Sequence, residues 1–215
     1  IEEIEELRKL FERLKNTAGS TGKVAILRSN SDNELFKTTL QFVYDDFVRT
    51  GMSYKTLSQP ITTHITGYEG EYTLEGMMSY VKDHNTGTLS TVAFVQDFCS
   101  LFSEETRDFL YHVFANDLKV GITAKTINKA LGDGFIKQFN VQLAHPYHKH
   151  PEKVAGKEFV LTQKLDGHRC ICIVNGEEVT FYTRKGLVIN GLAGQGAEAS
   201  NLVHQGMGVN SYVLD

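Results

Sequence analysis

The sequence predicts an α+β protein in two parts, an all-α helical domain over residues 1–143 and the antiparallel β start of a second domain over residues 144–215. Three observations support this fold class. Apolar residues recur at spacings of three and four along the first part, which is the period of an amphipathic helix. Short β-rich runs replace that pattern in the second part. The dipeptide Asn175-Gly176 between two of these runs is a strong hairpin signal.

The chain opens with an amphipathic helix. The apolar residues of segment 1–14 lie at helical spacing among charged residues. The small residues of segment 18–22 break this helix, and a short helix is expected over 23–28. Ser31 and Glu34 then match a capping box ahead of a longer helix. The apolar face of that longer helix comprises Phe36, Leu40, Val43 and Phe47.

The rest of the helical domain contains one long connection. Gly51 ends the longer helix, and residues 52–72, which are rich in Thr, Ser, Gly and Tyr, lead to the next one. Three more helices are predicted over 74–81, 89–102 and 103–118, and the helical bundle ends near Leu131.

A change in amino-acid composition near residue 143 marks the predicted domain boundary. Segment 144–151 is polar and bounded by prolines, so it cannot be helical throughout. Because the strands beyond it lack further sheet partners in the sequence, we expect Ile171, Ile173 and Phe181 to stay partly exposed. The predicted strands are 159–164, 170–174, 179–182 and 211–215, with helix-compatible residues over 197–204.

Composition excludes several classes of protein. The chain has 22 Lys+Arg against 26 Asp+Glu, a formal net charge of −4. No apolar stretch approaches the ~18 residues that a membrane helix needs, and the acidic start lacks the basic segment of a secretory signal. The three cysteines fit neither a disulfide framework nor a zinc knuckle and are interpreted as small buried thiols. These features predict a cytoplasmic protein with no membrane partner.

The sharpest motif lies between two strand-like runs. Segment 164–169 reads Lys-Leu-Asp-Gly-His-Arg and matches the K-x-D-G-x-R motif of covalent nucleotidyltransferases, with Arg184 as the following arginine motif. Lys164 must be neutral to act as a nucleophile, which neighbouring cations and partial desolvation favour. Arg169 and Arg184 offer planar forks of donors to ribose and phosphate oxygens. Gly167 allows close backbone approach or a positive φ. A salt-bridged hairpin turn is the alternative interpretation.

A locally basic stretch lies at the end of the helical domain and in the linker. Gly121 and Thr123 precede a helix start, where free amides and the helix dipole can hold a phosphate. Lysines outnumber acidic residues from 119 to 157, which predicts a DNA-phosphate footprint. The lysines are Lys119, Lys125, Lys129, Lys137, Lys149, Lys153 and Lys157. No metal site is predicted, because the histidines of the linker, His145, His148 and His150, are interpreted as solvent-exposed.

Both parts of the chain resemble the ATP-dependent DNA ligases. Besides the lysine motif, four helical segments look like the amino-terminal DNA-binding domain of bacteriophage ligases of the T4 kind. These segments are 19–27, 30–35, 116–121 and 124–129. The resemblance covers nearly the whole chain. It implies a helical DNA-binding domain followed by an incomplete nucleotidyltransferase domain, the ATP-grasp-like adenylation domain of ligases.

The resemblance implies a reaction and its participants. Lys164 would attack the α-phosphate of ATP to form lysyl-AMP, the adenylate would pass to the 5′-phosphate of a nick in double-stranded DNA, and the 3′-hydroxyl would displace AMP. A divalent metal, Mg, a monomeric enzyme and roles in DNA repair, replication and recombination are also implied, while Asp166 would hold the motif turn. By position, the ATP-binding residues would be Thr162, Gln163, Lys164, Leu165, Arg169 and Arg184.

Two departures bear on this resemblance. Thr162 stands where ligases often carry Glu or Gln to read the adenine amino group, with Gln163 next to it. Segment 212–215 looks like the approach to the hydrophobic-Asp-Gly-Glu motif of the family, but the sequence ends before the Gly and the Glu. The later lysine motifs and the oligonucleotide-binding barrel are also missing from it. We therefore expect an amino-terminal portion of a ligase that adenylates itself poorly and seals no nicks.

The residues leave other functions open. RNA ligases and mRNA-capping guanylyltransferases share the lysine chemistry but lack a helical amino-terminal domain of this kind. A DNA-binding module with an inert catalytic part belongs to a different class. Preference for nicked DNA over RNA separates the first group from a DNA ligase, and covalent labelling of Lys164 by ATP separates the second.

Overall fold

The computed structural model describes residues 2–60, 72–141, 144–161, 163, 166–204 and 211–214. It contains helices and an antiparallel sheet, which confirms the predicted α+β class. The chain divides into two compact units, a helical unit (Ile1–Gln138) and a sheet unit (Phe139–Asp215). The structure therefore places the division at 138/139, whereas the sequence pattern places it at 143/144.

The helical unit is built around an aromatic core. The rings of Phe11 and Phe36 lie 5.2 Å apart and those of Phe42 and Phe114 lie 5.9 Å apart, measured between ring centroids. All four side chains are fully buried, so edge and tilted ring contacts join helices that are distant in sequence. The described helices are α1 (Glu2–Asn16), α2 (Ser20–Ser29), α3 (Glu34–Tyr44), α4 (Tyr54–Ser58), α5 (Leu74–Asp83), α6 (Leu89–Ser100), α7 (Glu104–Phe114) and α8 (Ala124–Leu131).

Hydroxyl side chains begin five of these helices. Each stands just before the helix and accepts a hydrogen bond from a backbone amide of the first turn. Such a cap satisfies one of the amides that a helix start leaves without an intrahelical partner. The capping residues of α4 to α8 are Ser53, Thr73, Thr88, Ser103 and Thr123.

The start of α2 differs from the prediction. The helix begins at Ser20 rather than at residue 23, with Gly19 before it at φ 76°. The break between α1 and α2 is therefore confined to residues 17–19. The small residues of segment 20–22 were expected to interrupt the helix, but the left-handed Gly19 alone turns the chain.

The predicted capping box at Ser31 and Glu34 is wrong. Asn33 caps α3, because its Oδ1 accepts a hydrogen bond from the amide of Phe36 at 2.9 Å. Glu34 is the first residue of the helix and forms an ion pair with Lys37 at 2.6 Å. Asn and Ser are both good N-caps, so their proximity in the sequence made the start of the helix ambiguous by two residues.

We expect Asn33→Ala to lower the free energy of unfolding of the chain by about 1 kcal/mol, because the Phe36 amide then loses its acceptor. Chemical denaturation followed by circular dichroism measures the change. Ser31→Ala is the matched control and should stay within about 0.5 kcal/mol of the unaltered chain. A larger loss in Ser31→Ala than in Asn33→Ala would contradict the assignment of the cap.

Helix α3 also ends earlier than predicted. Its last residue is Tyr44, and Asp45 has the extended ψ of 124° that stops it, so Gly51 is not the helix stop. Phe47 therefore lies beyond the helix and is 50% exposed rather than part of its apolar face.

Two further helix boundaries need correction. Segment 52–72 is not wholly a connection, because it contains the short helix α4, whose Leu57 is fully buried in the core. Residues 61–71 of that segment lie outside the described residues. Helix α7 ends at Phe114 rather than at Leu118, because Asn116 adopts a left-handed φ of 50° that a helix cannot continue.

The sheet unit packs one helix on a small sheet. Its described strands lie in the order β3-β2-β1-β4, and all neighbours are antiparallel. The helix α9 covers one face, where Ala199 is buried with the side chains of β1 and β2. It begins at Ala193 rather than at residue 197. The elements are β1 (Cys170–Asn175), β2 (Glu178–Thr183), β3 (Val188–Ile189), α9 (Ala193–His204) and β4 (Ser211–Leu214).

The predicted hairpin is confirmed, with its turn displaced by one residue. Asn175 pairs with Glu178, so the two-residue loop is Gly176 and Glu177. Gly176 has φ 62°, which is the left-handed backbone that the first residue of such a loop requires. Asn175 is therefore the last residue of β1 rather than the first residue of the turn.

The strand predicted over 159–164 is not formed by the part of it that the structure describes, residues 159–161 and 163. Phe159, Val160 and Leu161 are 63%, 86% and 87% exposed. In a strand, consecutive side chains point to opposite faces. Since all three consecutive side chains are exposed, nothing covers either side of this segment within the described residues. The β-rich composition of such a run produces a strand only where a partner lies beside it.

The expectation that the strands lack sheet partners is wrong for β1. This strand has a neighbour on both sides, since Cys172 pairs with Phe181 of β2 and with Leu214 of β4. Ile171 is consequently only 4% exposed. Ile173 and Phe181 are half-buried.

Candidate functional site

The lysine motif lies on the segment that leads into β1. Thr162, Lys164 and Leu165, three of its predicted ATP-binding residues, lie outside the described residues. Gln163 is exposed, and so is the described part of the motif over 166–168. Gly167 does not have a left-handed φ, and a Cβ there would meet nothing within 4 Å. The glycine was expected to allow either a positive φ or the close approach of a ligand to the backbone. Since its φ is not positive, the close approach of a ligand remains as its expected use.

The hairpin register brings Arg169 and Arg184 to the same end of the sheet. Cys170, the first residue of β1, pairs with Thr183, the last residue of β2. Each arginine lies one residue beyond that pair, Arg169 before β1 and Arg184 after β2. Arg169 is half-buried and Arg184 is exposed.

A tight turn holds the backbone at Arg184. The amide of Gly186 donates to the carbonyl of Thr183 at 2.9 Å, and the amide of Thr183 donates to the carbonyl of Leu187 at 2.8 Å. The Oγ1 of Thr183 accepts from the amide of Leu187 at 3.1 Å. Gly186 has φ 78°, and a Cβ there would come within 2.9 Å of the side chain of Phe139. Sequence reasoning identified Arg184 but not Thr183, Gly186 or Phe139, because their roles depend on contacts within the folded unit.

Phe139 also covers the sheet next to this turn. Its ring lies 5.4 Å from the ring of Tyr182, the residue of β2 that pairs with Ile171. Cys172 and Phe181 belong to the cluster under α9, so alternation along the strands puts Ile171 and Tyr182 on the opposite face. A separate cleft of about 600 Å³ lies between β2, β3 and α9. The predicted nucleotide-binding residues that the structure describes, Gln163, Arg169 and Arg184, do not line this cleft.

The helical unit carries an exposed group of lysines, here called the basic surface: Lys119, Lys125 and Lys129. Lys125 and Lys129 lie one helical turn apart on α8, whose Ile127 is buried in the core. Thr123 caps α8 by accepting from the amide of Thr126 at 3.3 Å. Lys119 is 78% exposed and forms an ion pair with Asp117 at 3.1 Å.

The loop before α8 is tied to α2. The Nζ of Lys23 donates to the carbonyl of Val120 at 2.6 Å and to that of Gly121 at 3.2 Å. Arg28 donates to the carbonyl of Lys129 at 3.2 Å. Sequence reasoning singled out neither Lys23 nor Arg28, because nothing in the local pattern marks a cation that turns towards a distant backbone.

The seven lysines of the basic stretch are divided between the two units. Lys137 belongs to the helical unit with the basic surface, whereas Lys149, Lys153 and Lys157 belong to the sheet unit. All four are exposed. The stretch that is continuous in the sequence is therefore not one surface of one unit.

Two histidines of the linker, His145 and His150, lie close to each other. The rings of His145 and His150 lie 5.4 Å apart, and the Nδ1 of His150 lies 3.5 Å from the Oε1 of Glu152. His145 is exposed, whereas His150 is half-buried rather than exposed as expected. His148 is exposed. Within the described ranges, no group of three or more His, Cys, Asp or Glu side chains is arranged to hold a metal ion. Cys99 and Cys172 are buried as expected, and burial raises the pKa of both thiols, whereas Cys170 is only half-buried.

A second cleft, of about 380 Å³, lies in the helical unit along α1 and α7. His112 and Asp108 line it. The ring of Tyr54 stacks on His112 at 4.4 Å, and its hydroxyl donates to Asp108 at 2.5 Å, which raises the pKa of Tyr54. The Nδ1 of His112 is buried without a hydrogen-bond partner. No spacing in the sequence singles out these residues.

Comparison with known proteins identifies the fold. No family model and no curated protein matches the sequence. A solved structure named "Pmar-Lig_Pre." matches with a TM-score of 0.69 and 22% identity, over 97% of this chain and 49% of that chain. Another, named "Pmar-Lig_PreS3", matches with a TM-score of 0.64 and 19% identity over the same shares. The chain thus spans about half the length of these proteins and shares their fold. None of its described helices is both long and apolar enough to cross a membrane.

Proposed function

We propose that the chain is the amino-terminal portion of an ATP-dependent DNA ligase, which acts through a covalent lysyl-AMP on Lys164. The observation that carries this proposal is the hairpin register, because it sets Arg169, the last residue of the lysine motif, and Arg184 at the same end of the sheet. The "Lig" in the names of the two structural neighbours supports a ligase. Alternation carried one residue past each strand would direct both arginines to the face opposite α9.

The chemistry assigned to these residues is a nucleotidyl transfer. Lys164 loses a proton, its Nζ forms a bond to the α-phosphorus of ATP, and the bond to the leaving pyrophosphate breaks. Arg169 and Arg184 bind phosphate and ribose oxygens and favour the neutral amine by their charge. The adenylate then moves to the 5′-phosphate of a nick, and the 3′-hydroxyl joins the strands as AMP leaves.

A divalent metal, Mg, belongs to this proposal as the source of charge neutralisation on the triphosphate. The described residues offer no cluster of ligands for it, so no step is assigned to a metal here. The resemblance of the sequence to ligases of the phage T4 kind extends the proposal to a monomeric enzyme of DNA repair, replication or recombination that is active in the cytoplasm.

The test is covalent labelling. The full-length product of the gene that encodes this chain is incubated with ATP labelled at the α-phosphate and Mg, and label that survives denaturation is measured. We expect stable labelling that nicked duplex DNA discharges. ATP labelled at the γ-phosphate is the control and should leave no label. An unlabelled protein would favour an inert DNA-binding module, and discharge by nicked RNA but not by nicked DNA would favour an RNA ligase.

The basic surface supports the second part of the proposal, the binding of double-stranded DNA by the helical unit. Lys119, Lys125 and Lys129 are exposed, and Gly121 and Thr123 lie in the loop between the first two. Ammonium groups that contact phosphates carry no base information, so binding should be indifferent to sequence and sensitive to salt.

Charge reversal of all three lysines of the basic surface to Glu should weaken duplex binding by the chain by about two orders of magnitude. The loss should be equal for unrelated DNA sequences, and the slope of log Kd against log salt should fall by about 2.7. Fluorescence anisotropy at several salt concentrations measures both. The matched control reverses three exposed lysines elsewhere, Lys9, Lys55 and Lys82. Equal losses of affinity in the two triple variants would show that net charge alone, and not the basic surface, accounts for the effect.

A further inference from the structure

Helices α2 and α8 lie side by side and run in the same direction. Lys23, in the first turn of α2, reaches the backbone just before α8, whereas Arg28, at the end of α2, reaches Lys129 near the end of α8. Ile26 and Leu27 of α2 and Ile127 of α8 are buried in the same core. The position of α8 is therefore fixed by apolar contact along the pair and by one cation at each end.

Lys23 has the more specific environment of the two cations. It is half-buried, and its Nζ donates to two successive carbonyls, those of Val120 and Gly121. Hydrogen bonds from an ammonium group are stronger than those between neutral partners. They hold two neighbouring peptide groups at once, so they fix the direction of the chain between Lys119 and Thr123.

Gly121 makes room for this contact. Its φ is 69°, and a Cβ at this position would come within 2.5 Å of the Nζ of Lys23. A side chain at residue 121 would displace the ammonium group from the two carbonyls. The glycine and the lysine therefore form one arrangement, although they are 98 residues apart in the chain.

From this arrangement we infer that Lys23 is a positioning residue for DNA binding. It holds the loop that carries Lys119 and leads into α8, and so sets Lys119 relative to Lys125 and Lys129, without itself contacting DNA. The inference rests on the proposed function of the basic surface. It assigns to a lysine on another helix a role in the geometry of that surface.

The test compares Lys23→Met with Lys9→Met, which removes the same charge from an exposed site on α1. We expect Lys23→Met to weaken duplex binding by the chain about tenfold at every salt concentration, with an unchanged salt slope. Lys9→Met should stay within about twofold. Hydrogen exchange should become faster at the amide of Ile127, which donates to the carbonyl of Thr123 at 3.0 Å.

Gly121→Ala keeps every charge and provides a second variant. We expect the same loss of affinity at an unchanged salt slope, and the double variant with Lys23→Met should lose no more than either single variant, because both remove the same bonds. Unaltered affinity in Lys23→Met would overturn the inference, and so would a salt slope lowered by about 0.9, which would mark a direct phosphate contact. An unaltered chain that does not bind duplex DNA would instead overturn the proposed function, and the inference with it.

Discussion

Lys164→Ala in the full-length gene product is expected to lower covalent labelling by α-labelled ATP by at least about a thousandfold. The reason is that the phosphoramidate needs a nitrogen nucleophile at this position, and no other residue of the motif supplies one. Arg169 and Arg184 remain in place in the variant, so nucleotide binding measured by equilibrium dialysis should fall far less than labelling. This difference separates a lost nucleophile from a lost pocket.

Lys164→Arg should fail in the same assay, because a guanidinium stays protonated and cannot attack. Lys185→Ala is the matched control, since this exposed lysine lies in the turn after β2 and has no assigned part in the chemistry. It should label like the unaltered protein. Retained labelling in Lys164→Ala would remove Lys164 from the mechanism, whatever the outcome for the control.

The lysine motif could be identified from sequence because its fixed positions are adjacent in the chain. The relation between Arg169 and Arg184 needed one further step, the register of the hairpin, and the Asn175-Gly176 dipeptide predicted that hairpin. The support of Arg184 by Gly186 and Phe139 could not be predicted. Phe139 lies in the segment before the linker, and no local pattern reveals which part of the sheet it covers.

The helices show the same division between local and distant causes. Apolar periodicity predicted α1 closely, because this helix buries one side in the core. The predicted bounds of α5 and α6 also lie within two residues of the observed ones. It did not predict α4, which is too short for a period and depends on Leu57 entering that core. Lys23 is a more extreme case, since its acceptor at Val120 is 97 residues away.

Gly51 shows that a glycine after an apolar run can have a cause other than the end of a helix. Its position after an apolar run indicates a helix stop, but α3 has already ended at Tyr44. Gly51 and Gly87 instead lie backbone against backbone. A Cβ on Gly51 would meet the carbonyl oxygen of Asn85 at 2.2 Å, and a Cβ on Gly87 would meet the carbonyl oxygen of Gly51 at 2.1 Å. Both glycines have left-handed φ angles, 67° and 62°.

Gly87→Ala is therefore expected to lower the free energy of unfolding by more than about 3 kcal/mol, since the methyl group would collide with a backbone oxygen that cannot rotate away. Gly134→Ala is the matched control. This glycine also has a left-handed φ, of 81°, but a Cβ there would meet nothing within 4 Å. Gly134→Ala should lower the free energy of unfolding by only about 1–2 kcal/mol, which is the cost of backbone strain. The difference between the two variants, measured by chemical denaturation of the chain, isolates the close approach of the two loops. Equal losses in Gly87→Ala and Gly134→Ala would show that backbone conformation alone selects glycine at residue 87.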